Sequence, residues 1–206
     1  MIYFDKECEP ANDIVVLKVI ESDTITTKKD GFVIGDDMMR NMRVGFYQIV
    51  KIGSEAKKKT SLDVGSYVFA DRLASFYHTE PIALMRYNAL IMESNKEKTK
   101  YRALGGRCIV QPIEYGENED NQSGFSFAIP ESQDLKYGIV KSITPPYEGD
   151  DGNNNASNIK VGDKILLTKE ECDVLHGFRG DETLDQTKPI YIYKTSAILC
   201  KICEEN

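Results

Sequence analysis

The sequence predicts an all-β protein built as two tandem partly open β-barrels. Three observations carry that prediction. The apolar runs are short, rich in β-branched and aromatic residues, and bounded by Gly, Pro, Asn and Asp. The runs fall into two series of five. Local motifs recur in the same order in both series, and self-similarity of that kind decides architecture.

In the first half, strands are expected at Ile14–Ile20, Phe46–Ile52, Ser66–Ala70, Ile82–Met85 and Ala89–Met92. In the second they are expected at Arg107–Gln111, Tyr137–Ile143, Lys164–Leu167, Pro189–Tyr193 and Ala197–Cys200. Between the halves, Ser94 to Lys100 is polar, charged and without apolar period, so it reads as linker. The division is a first barrel over 1–93, a linker over 94–104 and a second barrel over 105–206, each barrel near the common domain size. Three anchors align the copies: Ile49-Val50-Lys51 with Ile139-Val140-Lys141, Val64-Gly65 with Val161-Gly162, and Ala89 with Ala197. Their separations, 90, 97 and 108 positions, grow because the second copy carries longer loops, notably Pro145 to Asn155.

Composition narrows the function. Hydrophobic residues at 41% and charged residues at 29% suit a packed domain rather than a disordered chain. A net charge of −7 argues against nucleic acid or an anionic membrane as the main partner. No apolar run reaches membrane-span length, and the first residues lack a secretory-signal layout, so a cytoplasmic protein is expected.

Catalytic signals are sparse. No P-loop, GxGxxG, GxSxG or HExxH occurs, and no cofactor or metal is expected. His78 and His176 lie in segments that read as turns, and Asp36-Asp37 and Asp150-Asp151 sit in glycine- or asparagine-rich stretches that suit solvated turns. Five cysteines at irregular spacing fit a reducing compartment. Cys200-Lys201-Ile202-Cys203 offers half a zinc site or two small residues at the edge of a terminal strand. An enzyme is not expected.

The longest non-strand segments, 21–41 and 114–136, occupy the same place in each half, between first and second strands. Each is polar except for one apolar cluster: Phe32-Val33-Ile34 beside Gly31, and Phe127-Ala128-Ile129 before Pro130. Loops of this length are usually functional or disordered. The cluster is either a docking hook or a hairpin tip folded back on its own barrel.

Together these residues resemble the co-chaperonin family typified by GroES. Asp30-Gly31-Phe32-Val33-Ile34 is similar to that family's mobile-loop motif, and Phe127-Ala128-Ile129-Pro130-Glu131 to a variant of it. Val64-Gly65 and Val161-Gly162-Asp163 resemble its Val-Gly-Asp turn, and residues 145–159 fall where the family places a roof loop. In the first copy Ser66 stands in place of the turn's Asp, and only Ser54 to Asp63 remains for the roof. The resemblance implies a tandem co-chaperonin of plastid or bacteriophage type. It implies a ring homo-oligomer that caps a GroEL-type chaperonin through Gly31, Phe32, Val33, Ile34, Phe127, Ala128, Ile129 and Pro130. The alternative is a phage structural or assembly protein that reuses the barrels as a ring or adaptor. Zinc-dependent alcohol dehydrogenases also contain such a barrel, but this chain lacks their nucleotide-binding domain and ligand pattern.

Overall fold

Runs such as Ile14-Val15-Val16-Leu17 and Phe46-Tyr47-Gln48-Ile49 bury consecutive side chains, Val15 to Leu17 and Phe46 with Tyr47, which is the pattern of strands covered on both faces. The computed structural model describes residues 9–21, 44–79, 81–113, 136–148, 157–168, 172–175 and 190–202. In the first half it places β1 (Ile14–Glu21), β2 (Val44–Ile52), helix α1 (Ser54–Thr60), β3 (Tyr67–Asp71), β4 (Tyr77–Thr79), β5 (Ile82–Arg86), β6 (Leu90–Ser94) and β7 (Tyr101–Ala103). In the second it places β8 (Arg107–Pro112), β9 (Lys136–Ile143), β10 (Lys164–Leu167), β11 (Cys172–Leu175), β12 (Ile190–Lys194) and β13 (Ile198–Lys201).

The strands form two antiparallel sheets, one of seven strands ordered β4-β5-β1-β2-β3-β6-β7 and one of six ordered β11-β12-β8-β9-β10-β13. Strand for strand these are the same topology, with β7 the one addition. Irregularities recur with the order. A bulge lies between Val16 and Leu17 on β1 and between Ile109 and Val110 on β8. Another lies between Phe69 and Ala70 on β3 and between Leu166 and Leu167 on β10. Gly65 (φ 96°) and Gly162 (φ 92°) make the same left-handed turn, their N–H groups donating at 2.8 Å to Ile49 O and Val140 O. Two GroES-like β units are therefore present.

That turn also corrects the alignment. Ile49 corresponds to Val140, not to Ile139, because both donate at 2.9 Å to the residue after the turn glycine, Ser66 or Asp163. The shared Ile-Val-Lys letters pointed one residue away, and a one-residue slip exchanges the faces of a strand. Burial agrees: Ile49 and Val140 are inside, while Ile139 is half-buried.

Three further expectations change. Ser54–Thr60, expected as a short loop, is a helix that buries Ala56 and Thr60 four residues apart, with Thr60 Oγ1 donating to Ala56 O at 2.7 Å. His78 lies in β4 rather than in a turn. The expected linker is a hairpin arm: Asn95 Oδ1 accepts from the N–H groups of Thr99 and Lys100 at 2.8 and 2.9 Å, and β7 then returns along β6.

Among the described residues, three apolar clusters form the core. One occupies the first unit, around Leu17, Tyr47, Ile49, Met85 and Leu90, and another the second, around Cys108, Val110, Ile165 and Tyr193. A third joins the outer faces of both, with Phe46, Phe69 and Met92 from the first sheet against Ile109 and Ile192 from the second. No helix among the described residues is long and apolar enough to cross a membrane.

Candidate functional site

In each unit a long segment outside the described residues falls between the two strands of a hairpin, β1 and β2 in the first and β8 and β9 in the second. The stems are tightly held. Glu21 pairs with Phe46 at the first, and Ile113 N–H donates to Tyr137 O at 3.1 Å at the second. Beside the first stem the Phe46 ring lies 4.7 Å from Phe69 and 5.8 Å from Tyr67, with the Lys98 ammonium 4.8 Å over it. Beside the second, the Lys136 ammonium lies 4.8 Å from the Tyr191 ring. Segments 22–43 and 114–135, twenty-two residues each, run between those stems. Gly31, Phe32, Val33, Ile34, Phe127, Ala128, Ile129 and Pro130 lie outside the described residues, as does His176.

The opposite end of each hairpin carries α1 in the first unit and the segment beginning Thr144-Pro145-Pro146-Tyr147 in the second. Residues 149–156 of the expected roof loop lie outside the described residues. Tyr147, expected in that surface loop, is instead 8% exposed and sits in the core of the first unit, its ring edge-on to Tyr87 at 5.1 Å. Between these parts runs a cleft of about 750 Å³. Two of its cations are engaged with neighbours: Lys59 Nζ donates to Glu148 O at 2.8 Å and lies 5.4 Å from the Tyr87 ring, and Arg102 Nε pairs with Glu93 at 2.8 Å. A hydrogen bond with Tyr87 holds the Lys59 ammonium above its usual range.

The junction is stitched by groups that the sequence did not single out. Arg107 Nη1 donates to Leu90 O at 3.1 Å and to Gly105 O at 3.2 Å, and Nη2 to Asn88 O at 3.2 Å. Ala103 N–H donates to Ser142 Oγ at 3.0 Å, and Thr144 Oγ1 to Ala103 O at 2.6 Å. The two units are thereby bonded to each other across the junction.

Reactive chemistry is scarce around these features. Burial pushes the Cys108 thiol up to about 12, which keeps it protonated and inert. Cys200 is exposed on the edge strand β13, and Cys203 lies outside the described residues. Among the described residues no group of His, Cys, Asp or Glu could hold a metal ion.

The second sheet, with β7 at its head, matches the model of the chaperonin 10 kDa subunit over residues 100–202, half of the chain. The chain belongs to the chaperonin 10 kDa subunit family. No curated protein matches it. Members of the family are non-enzymatic co-chaperonins that typically bind GroEL and form seven-membered rings. The match starts inside the hairpin arm, so β7 belongs by sequence to the second unit while its hydrogen bonds join it to the first sheet.

Proposed function

We propose that this chain is a tandem co-chaperonin, with barrels over 1–93 and 105–206 joined through 94–104. Its copies assemble into a ring that caps a GroEL-type chaperonin. The observation that supports this most is that the first sheet repeats the strand order, bulges and glycine turn of the family-matched second sheet. Each unit then presents one long loop from an equivalent, rigid stem. Phe32-Val33-Ile34 beside Gly31 and Phe127-Ala128-Ile129 before Pro130 are the hooks.

Weak hooks on a rigid ring suit a cap that must leave again. Burying each large apolar side chain contributes about 1.5 to 3 kcal/mol. Ordering a loop costs about 1 to 2 kcal/mol per residue fixed, so a single hook holds poorly. Several hooks on one ring gain about a hundredfold to ten-thousandfold through effective concentration. The double variant Phe32→Asp, Ile129→Asp is expected to lose capture by a GroEL-type chaperonin in the presence of ATP while keeping its β-sheet circular dichroism. Undiminished capture by that variant would refute the hook assignment.

A further inference from the structure

The segment after the second strand of each unit starts alike and ends in different places. Gly53 N–H donates to Ile14 O at 2.9 Å in the first unit, and Thr144 N–H to Arg107 O at 3.0 Å in the second. Three residues beyond these equivalent bonds stand Ala56 and Tyr147. Ala56, on α1, closes the core of its own unit, whereas Tyr147 lies in that same first-unit core and not in the cluster of the unit that carries it. We propose that the junction end of the first unit holds a pocket for an aromatic ring, between Tyr87, Leu104 and Gly105, which the second unit fills with Tyr147 on a strap of residues 144–148. The device is independent of chaperonin capture.

The prolines set the path of the strap. A residue before proline is held out of the helical region, so Pro145 continues extended where its counterpart Ser54 begins α1. The anchor that draws α1 back onto its own unit is also taken. Ala56 N–H donates to Asn12 O at 2.9 Å, while the counterpart oxygen, on Gly105, accepts from Arg107 Nη1 at 3.2 Å. Two glycines make the seat. Gly105 (φ 46°) and Gly106 (φ 69°) are both left-handed; a Cβ at Gly105 would collide with the Tyr147 ring, and one at Gly106 would lie 3.2 Å from Pro146 Cα. Their counterparts in the first unit, 93 positions earlier, are Asn12 and Asp13, so the glycine pair goes with the strap. Both ends are tied down. Gly106 N–H donates to Pro145 O at 3.0 Å and Thr144 Oγ1 to Ala103 O at 2.6 Å, while Lys59 Nζ, from α1, donates to Glu148 O at 2.8 Å. Between these ties the Tyr147 ring is 8% exposed and meets Tyr87 edge-on.

Amide hydrogen exchange of the full-length chain reads the two units separately. Tyr147→Ala empties the pocket. Exchange in β1, β2 and β5, whose side chains share its cluster, is expected to speed by about a hundredfold, with β10 and β13 little changed. Phenol, the ring that the substitution removes, is expected to restore protection in this variant and to leave the native chain unchanged, since an emptied apolar cavity takes a small aromatic molecule. Gly105→Ala, which sets a methyl group against the ring, is expected to loosen the same three strands, and to do so less in a chain that already carries Tyr147→Ala. Protection lost in β10 and β13, protection lost evenly over both units, or no response of the Tyr147→Ala chain to phenol would overturn the pocket. Should Tyr147→Ala fail to fold, Tyr147→Leu carries the same comparison of the units and decides.

Discussion

Gly65 and Gly162 show how single residues set the geometry of each unit. Both hold φ above 90°, and a Cβ added at either would meet nothing within 4 Å, so only the backbone conformation demands glycine. Alanine at either position is expected to lower unfolding stability by about 1 kcal/mol. Urea midpoints of the two single variants check this, and equal shifts are expected because the turns are equivalent. Cys108 carries a pH signature. Its thiol titrates at about 12 when folded against an ordinary 9.0, because burial disfavours the thiolate. A group with a raised folded pKa stabilises fully below the unfolded value, and that contribution is lost as pH rises from 9 to 12. Thermal melts are therefore expected to fall through this window more steeply for the native chain than for Cys108→Ala, and iodoacetamide is expected to label Cys200 long before Cys108.

At the scale of elements, one of the side chains that cross the junction reaches into the other unit's core. Tyr147 follows β9 but packs in the first unit's core against Tyr87. Tyr147→Ala is expected to cost about 3 kcal/mol, the usual price of emptying a buried aromatic site. Chemical denaturation followed by circular dichroism is the measurement. All ten strands expected from the apolar runs are present, because long β-branched runs with two buried faces leave little choice. The strands that were not legible, β4, β7 and β11, are the three- and four-residue pieces at sheet edges, too short to show a period. Helix α1 was hidden for a similar reason. Its seven residues bury only Ala56 and Thr60 and have no side-chain cap, although Glu55 in the first turn and Lys57, Lys58 and Lys59 in the last complement the helix dipole. The repeat was legible in order but not in register, since Ile139-Val140-Lys141 matched Ile49-Val50-Lys51 in letters while the turn bonds align Val140 with Ile49. Arg107, Ser142 and Thr144 gave no signal at all, because a junction between units has no sequence period of its own.

At the scale of the whole molecule, the two units have the same strand order and share an apolar cluster that joins their sheets. In the function proposed above, this pair, multiplied in a ring, caps a chaperonin through Phe32-Val33-Ile34 and Phe127-Ala128-Ile129. The most direct test is native mass spectrometry of the purified chain mixed with a GroEL-type chaperonin, with and without ATP. A complex that forms only with nucleotide and carries an integral number of chains as one ring is expected. A stable self-assembled oligomer that never joins the chaperonin in either condition would contradict it.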